Sequence, residues 1–130
     1  MKFAKLTELE EKLGRAVVNA AFRVHKELGP GLLEKVYEVC MAHELSQAGY
    51  AVSRQVSIPS SYKGITFDEG LRLDILVENK VIAEIKAIDE VNPLWQAQVL
   101  SHLRLTRLRL GYLINFNEPL IKHGIKRIIL

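Results

Sequence analysis

The sequence predicts an α/β domain in which a mixed central β-sheet is flanked by helices. Three observations predict it. Two helical patterns open the chain, two alternating strand patterns joined by a short turn occupy its middle, and a third helical pattern separates these from two apolar runs at the end. The resulting order, α-α-β-β-β-α-β-β, is that of a mixed sheet with helices packed against it.

The first helix is expected from Leu9 to Leu28. Thr7 and Glu10 have the spacing of a capping box, and Leu9, Leu13, Val17, Ala20, Ala21, Val24 and Leu28 recur at helical spacing. Gly29-Pro30-Gly31 ends it, because glycine tolerates positive φ and proline cannot continue a helix. The second helix is expected from Leu32 to Ala48, with Gly49 as its stop and an apolar arc of Leu33, Val36, Val39, Cys40, Met41 and Leu45. Glu34 and Glu44 fall within or at the edge of that arc, where a carboxylate is costly unless paired or bound to a metal. For Glu44, a salt bridge at the rim accounts for it. Tyr50 to Tyr62 reads as extended and broken at Pro59, and Leu71 to Val77 and Val81 to Ala87 are the clearest strands. Asn92 to Leu105 is the third helix, with Pro93 in its permitted first turn. Leu108 to Phe116 and Ile125 to Leu130 read as buried strands.

The chain has 130 residues, enough for one domain over residues 1–130 with a core of its own. Its 48% hydrophobic and 25% charged content is that of a globular protein. A net charge of +3 fits a polyanionic partner such as nucleic acid. After Glu90 the only acidic residue is Glu118, against Arg104, Arg107, Arg109, Lys122, Lys126 and Arg127. The single cysteine, Cys40, excludes a disulfide within the chain and a cysteine-based zinc site. Met1 to Leu9 lacks the apolar run of a signal peptide, and no stretch approaches a membrane span, so a cytoplasmic protein is expected.

The chemistry is concentrated in the stretch from Leu71 to Ala87. Alternation puts Leu71, Leu73, Ile75 and Val77 on one face and Arg72, Asp74, Leu76 and Glu78 on the other. On the return strand, Val81, Ala83, Ile85 and Ala87 oppose Ile82, Glu84, Lys86 and Ile88. A loop at Glu78-Asn79-Lys80 sets Val77 opposite Val81, Ile75 opposite Ala83 and Leu73 opposite Ile85, and a slip by one residue would mix charges into the apolar face. That register also sets Asp74 opposite Glu84, with Lys86 beside Arg72. Directly opposed residues have Cβ atoms roughly 4.5–5.5 Å apart, so the two carboxylates repel. A divalent cation between them removes the repulsion, and Mg²⁺ takes such oxygen ligands while keeping several waters. Lys86 could then position the attacking water or offset charge on a scissile phosphate. The same pattern also fits a salt-bridged surface face, with Arg72 and Lys86 neutralising Asp74 and Glu84.

Gly31-Leu-Leu-Glu-Lys-Val-Tyr37 resembles the signature of the GxxExxY proteins, small prokaryotic proteins assigned to the PD-(D/E)XK nuclease superfamily. The resemblance extends over Val24 to Gly31, Tyr62-Lys-Gly64, the Asp74 to Lys86 hairpin, Ala97 to Leu100 and Leu113 to Phe116. It implies a restriction-endonuclease-like core. It further implies that Asp74 and Glu84 are metal ligands, Lys86 is the catalytic lysine and Glu34 is an additional metal-linked carboxylate. Gln98 matches a glutamine that exonuclease-like branches place near the site, whereas the tyrosine often found four residues later is His102 here. That departure touches any tyrosine-dependent contact to DNA. Tyr37 shares a helix face with Glu34 and either orients it or packs. His25 is either satisfied by helix-end carbonyls or approaches the metal. Trp95 reads as core or as a base-stacking platform. Arg104, Arg107 and Arg109 read as phosphate contacts or as a solvated surface.

The function expected on these grounds is a Mg²⁺- or Mn²⁺-dependent nuclease acting on DNA, with Asp74, Glu84, Lys86 and Gln98 as its catalytic set. Two rivals stand beside it. One is a catalytically silent nuclease-like fold serving as a nucleic-acid or protein adaptor. The other is a subunit of a larger complex or homo-oligomer whose partners supply the substrate groove.

Overall fold

The computed structural model describes residues 5–69 and 71–130. The signal-peptide expectation falls partly on residues 1–4, outside the described residues. Helix α1 spans Glu8–Leu28 and α2 Glu34–Gln47. Strands follow as β1 Val52–Ser57, β2 Ser60–Tyr62, β3 Ile65–Phe67, β4 Arg72–Val77 and β5 Val81–Lys86. Helix α3, Leu94–Thr106, leads to β6 Leu110–Asn115, a 3₁₀ turn at Ile121–His123 and β7 Ile125–Ile129.

Local chemistry accounts for the helix ends. Thr7 and Glu10 close the capping box reciprocally, at 3.1 Å and 2.8 Å. Gly29 and Gly31 both take positive φ, 68° and 98°, at the break between α1 and α2. At α3 the side chain of Asn92 accepts the Leu94 N–H at 2.9 Å, and Pro93 stands just before the helix.

Five strands form a sheet in the order β1-β4-β5-β6-β7, and β2 and β3 form a separate hairpin. Only the β5–β6 pair is parallel, and α3 supplies the crossover that a parallel pair requires. Helices α1 and α2 bury Leu13, Val17, Val24, Tyr37, Met41 and Leu45 against one face of the sheet. On the other face, α3 buries Trp95, Val99 and Leu103 against Ile82 and Leu113. The two layers enclose β6, which is buried at every position. Gly111 lets α3 approach this strand closely, since a Cβ there would meet Val99 Cγ1 at 2.9 Å. The run expected as a second buried strand at the end is instead the sheet's edge: β7 exposes Lys126 and Arg127, charges that discourage further strand pairing.

Three further expectations are corrected. The inward face of α2 is Tyr37, Glu38, Met41, Ala42 and Leu45, whereas Leu33, Val36 and Val39 face solvent, so the helix is rotated relative to the apolar arc. The β4–β5 ladder keeps the expected register at Val77–Val81, Leu76–Ile82 and Ile75–Ala83, then stops. Asp74–Glu84 and Leu73–Ile85 are therefore not backbone rungs, and Lys86 is not set beside Arg72 by pairing. Leu73 also changes sides: it packs in the α3 layer with Ile82, Trp95 and Val99, while Ile75 and Val77 lie in the α1/α2 layer. The β1–β4 ladder omits the Gln55–Asp74 rung at the same place, and Gln55 has φ of 51°. The local kink in β1 and the splay of β4 from β5 turn the strand over at Asp74.

Candidate active site

The splay makes the site. With no β4 rung to accept it, the Ile85 N–H is taken by the Asp74 carboxylate at 2.8 Å. Asp74 thereby reaches across to β5 through its side chain. Glu84, one residue before Ile85, is buried and faces α3, where His102 Nδ1 lies 3.1 Å from its Oε1. Burial pushes the Glu84 carboxyl up to about 7; the His102 hydrogen bond opposes this, and the neighbouring Asp74 charge adds to it. Lys86 lies two residues on, half-buried on the same face of β5, with Nζ 5.4 Å from the centroid of the Trp95 ring.

Glu34 occupies the first turn of α2 and is exposed, so it is not the carboxylate inside an apolar face that the sequence implied. It nevertheless belongs to the same electrostatic neighbourhood. Partial desolvation raises its carboxyl, Lys86 lowers it, and Asp74 and Glu38 raise it further. Glu38, to which the sequence assigns no role, is 4% exposed one turn beyond Glu34. It is held by Arg54 Nη2 at 2.8 Å and by Gln55 Nε2 at 2.5 Å. The available signal was an acid one turn from Glu34 on a helix, but its cationic partner lies on β1.

Asn115, also overlooked, stands beside Lys86 in the parallel register. Its amide donates to the carbonyl of Ile88 at 2.9 Å, and its Oδ1 accepts the N–H of Ile88 at 3.2 Å. The Phe116 N–H donates to the Lys86 carbonyl at 2.8 Å, and Asn117 donates to Asp89. The chain leaving β5 is thus clamped just beyond the lysine.

The remaining expected residues divide. His102 is at the site. Gln98 is exposed one turn before His102 on α3. Tyr37 is fully buried; it stacks on Phe116 with centroids 4.5 Å apart, donates to the Gly29 carbonyl at 2.6 Å and accepts the Leu32 N–H at 3.0 Å. It fixes the α1–α2 connection through these contacts. His25 Nε2 donates to the Glu118 carbonyl at 2.7 Å, tying α1 to the segment after β6. Trp95 is a core residue at 8% exposure that also faces Lys86. Arg104 and Arg107 are at the opposite end of α3, and Arg107 caps that helix with φ of 60°. Arg109 precedes the Val81–Leu110 rung, at the far end of the β5–β6 ladder from Lys86–Asn115, and donates to the backbone of Leu130 and Lys5. Glu44 lines a cleft with Lys12, Arg15 and Arg23. Among the described residues Glu44 has no cation within 4.0 Å.

The donor chemistry fits a hard cation. Asp74 and Glu84 each use one oxygen within the fold, on Ile85 and His102, which leaves oxygens for a metal that keeps waters of its own. Among the described residues, no group of three or more His, Cys, Asp or Glu is arranged to hold a metal ion.

A five-stranded mixed sheet between helices, with two acids and a lysine where its central hairpin splays, has the layout of a nuclease-like α/β core. The chain belongs to the PD-(D/E)XK nuclease superfamily, whose family model matches residues 11–128. Nucleases of this superfamily generally use divalent metals, and membership points to interaction with nucleic acid. No curated protein and no solved structure matches the chain. Among the described residues, no helix is long and apolar enough to cross a membrane.

Proposed function

We propose that this chain is a nuclease of the GxxExxY type that hydrolyses phosphodiester bonds in DNA with Mg²⁺ or Mn²⁺. The observation that carries the reading is the crowding of Asp74 and Glu84 at a strand splay, with Lys86 two residues beyond on the same face. Two carboxylates so placed are unfavourable in isolation and suited to sharing a cation.

Asp74 and Glu84 would hold the metal, and Glu34, in the same electrostatic neighbourhood, would add a further carboxylate from α2. A bound divalent cation supplies electrostatic stabilisation of the charge that develops on the phosphate. Lys86 donates a hydrogen bond to the attacking water or to a non-bridging phosphate oxygen, and the Trp95 ring holds its ammonium in place. His102 orients Glu84, and Gln98 orients substrate at the mouth.

The test is calorimetric titration of Mg²⁺ and Mn²⁺ into the wild type and Asp74→Ala, with a plasmid and a labelled single strand assayed in parallel. Metal binding that requires Asp74, with cleavage that also requires Lys86, supports the reading. Unchanged metal binding in an Asp74→Ala, Glu84→Ala double variant sinks it.

A second reading, a silent nuclease-like fold that binds nucleic acid or protein, is favoured by one observation. No ready-made cluster of three metal-binding side chains stands among the described residues. It predicts binding that ignores metal, with no cleavage for Lys86→Ala to abolish.

A further inference from the structure

A cleft of about 520 Å³ opens between the last turns of α1 and the segment that follows β6. Its floor and walls are apolar: Phe22 is 45% exposed and Leu120 55%, and Pro119 and Ile121 complete the apolar lining. Its rim carries Arg23, Lys26 and Lys122, and none of its lining residues is a carboxylate. Among the described residues, none of these three cations has an ion-pair partner within 4.0 Å. The His25 bond to the Glu118 carbonyl holds the two walls together. The far wall continues directly from Phe116 and Asn117, which are bonded to Lys86 and Asp89 at the catalytic end of β5.

We propose that this cleft binds single-stranded nucleic acid, with a base against Phe22 and Leu120 and the flanking phosphates on Arg23, Lys26 and Lys122. The proposal rests on the nuclease reading, to which it adds a strand-binding subsite outside the catalytic residues. An aromatic floor with a cationic rim is the chemistry that holds an unpaired nucleotide: the ring stacks on the base and the rim neutralises the backbone. A duplex hides its base faces within the stack, so its phosphates would meet the apolar walls. Arg104, Arg107 and Arg109 offer no such floor and stand at the other end of the sheet from Lys86.

The experiment is fluorescence anisotropy of a labelled short oligothymidine, in EDTA, with cleavage by the same preparations assayed separately in Mg²⁺. Phe22→Ala should weaken binding about ten-fold, within the range measured for loss of base stacking, and Phe22→Tyr should restore it. An R23Q/K26Q/K122Q variant should flatten the slope of log affinity against log salt by about 2, as expected for three lost contacts to a single strand. Wild-type affinity in both cleft variants overturns the proposal, as does a duplex that binds equally well with the same dependence on Phe22. A wild type that cleaves but does not bind in EDTA also overturns it and leaves the nuclease reading intact. Cleft-dependent binding without any cleavage supports the subsite and counts against the nuclease reading alone.

Discussion

The Asp74 carboxylate accepts the backbone N–H of Ile85 at 2.8 Å and so occupies the rung that β4 and β5 leave open where they part. This one contact joins the fold to the proposed chemistry, because the same carboxylate neighbours Glu84. Asp74→Asn keeps an acceptor oxygen for Ile85 and removes the charge. It should unfold near the wild-type temperature and yet lose metal-dependent cleavage. Asp74→Ala leaves a buried N–H unsatisfied and should cost about 1–3 kcal/mol. Thermal unfolding and cleavage, measured together on both variants, separate the two roles; a large stability loss in Asp74→Asn would contradict this account.

Glu84 sets a pH dependence of known sign. Its carboxyl is raised from an ordinary 4.5 to about 7 in the folded protein, so between those values the folded state holds a proton that the unfolded state has released. The stability this provides is complete below pH 4.5 and is lost as the pH rises to 7. The gap corresponds to on the order of 3 kcal/mol. In the absence of metal, denaturation midpoints should fall across this window in the wild type. Glu84→Gln should remove most of that slope and be the more stable protein at pH 8. Parallel curves for the two proteins would mean that Glu84 is not the group responsible.

Tyr37→Phe keeps the stacking on Phe116 and deletes both hydroxyl hydrogen bonds at the α1–α2 connection. The expected loss is about 1–3 kcal/mol, read as a lower midpoint in urea with an unchanged slope. Glu34 begins the helix that this connection introduces. If Tyr37 acts only through packing, metal affinity measured well below the denaturation midpoint should stay within about two-fold of the wild type, an effect under 0.5 kcal/mol.

Trp95→Leu removes the ring beneath the Lys86 ammonium. A cation–π contact is worth about 0.5–1 kcal/mol near a surface, so kcat should fall roughly two- to five-fold. Urea denaturation reports the lost packing separately. A rise in KM at constant kcat would instead mean that the ring touches substrate, as a base-stacking tryptophan does.

Much of this architecture can be read from the chain, for physical reasons that are local. The Thr7–Glu10 cap involves neighbours in sequence, and the glycine-proline break after Leu28 acts through backbone geometry alone. The Val77–Val81 register follows from a short loop and strict alternation. What was not legible depends on distant partners. Leu73 looks like the continuation of Ile75 and Val77 until Gln55, on another strand, adopts positive φ opposite Asp74. Glu38 looks like an ordinary helix acid until Arg54 and Gln55 arrive from β1. Asn115 falls within the Leu113 to Phe116 resemblance, but its role comes from standing beside Lys86 in a parallel pair, which the sequence does not show. The three-residue strands β2 and β3 are too short for alternation to declare both.

Because β4 turns over at Asp74, neither helix layer alone holds the acids of the candidate site. Glu84 is steered by His102 from the α3 side, while Glu34 is carried by a helix of the opposite layer. A cavity opened in one core would displace one carboxylate relative to the other. Substitutions deep in either layer, far from any substrate, should therefore register as changes in the distance between acids. Under the proposed function, core packing becomes a tuning parameter of the chemistry as well as a source of stability.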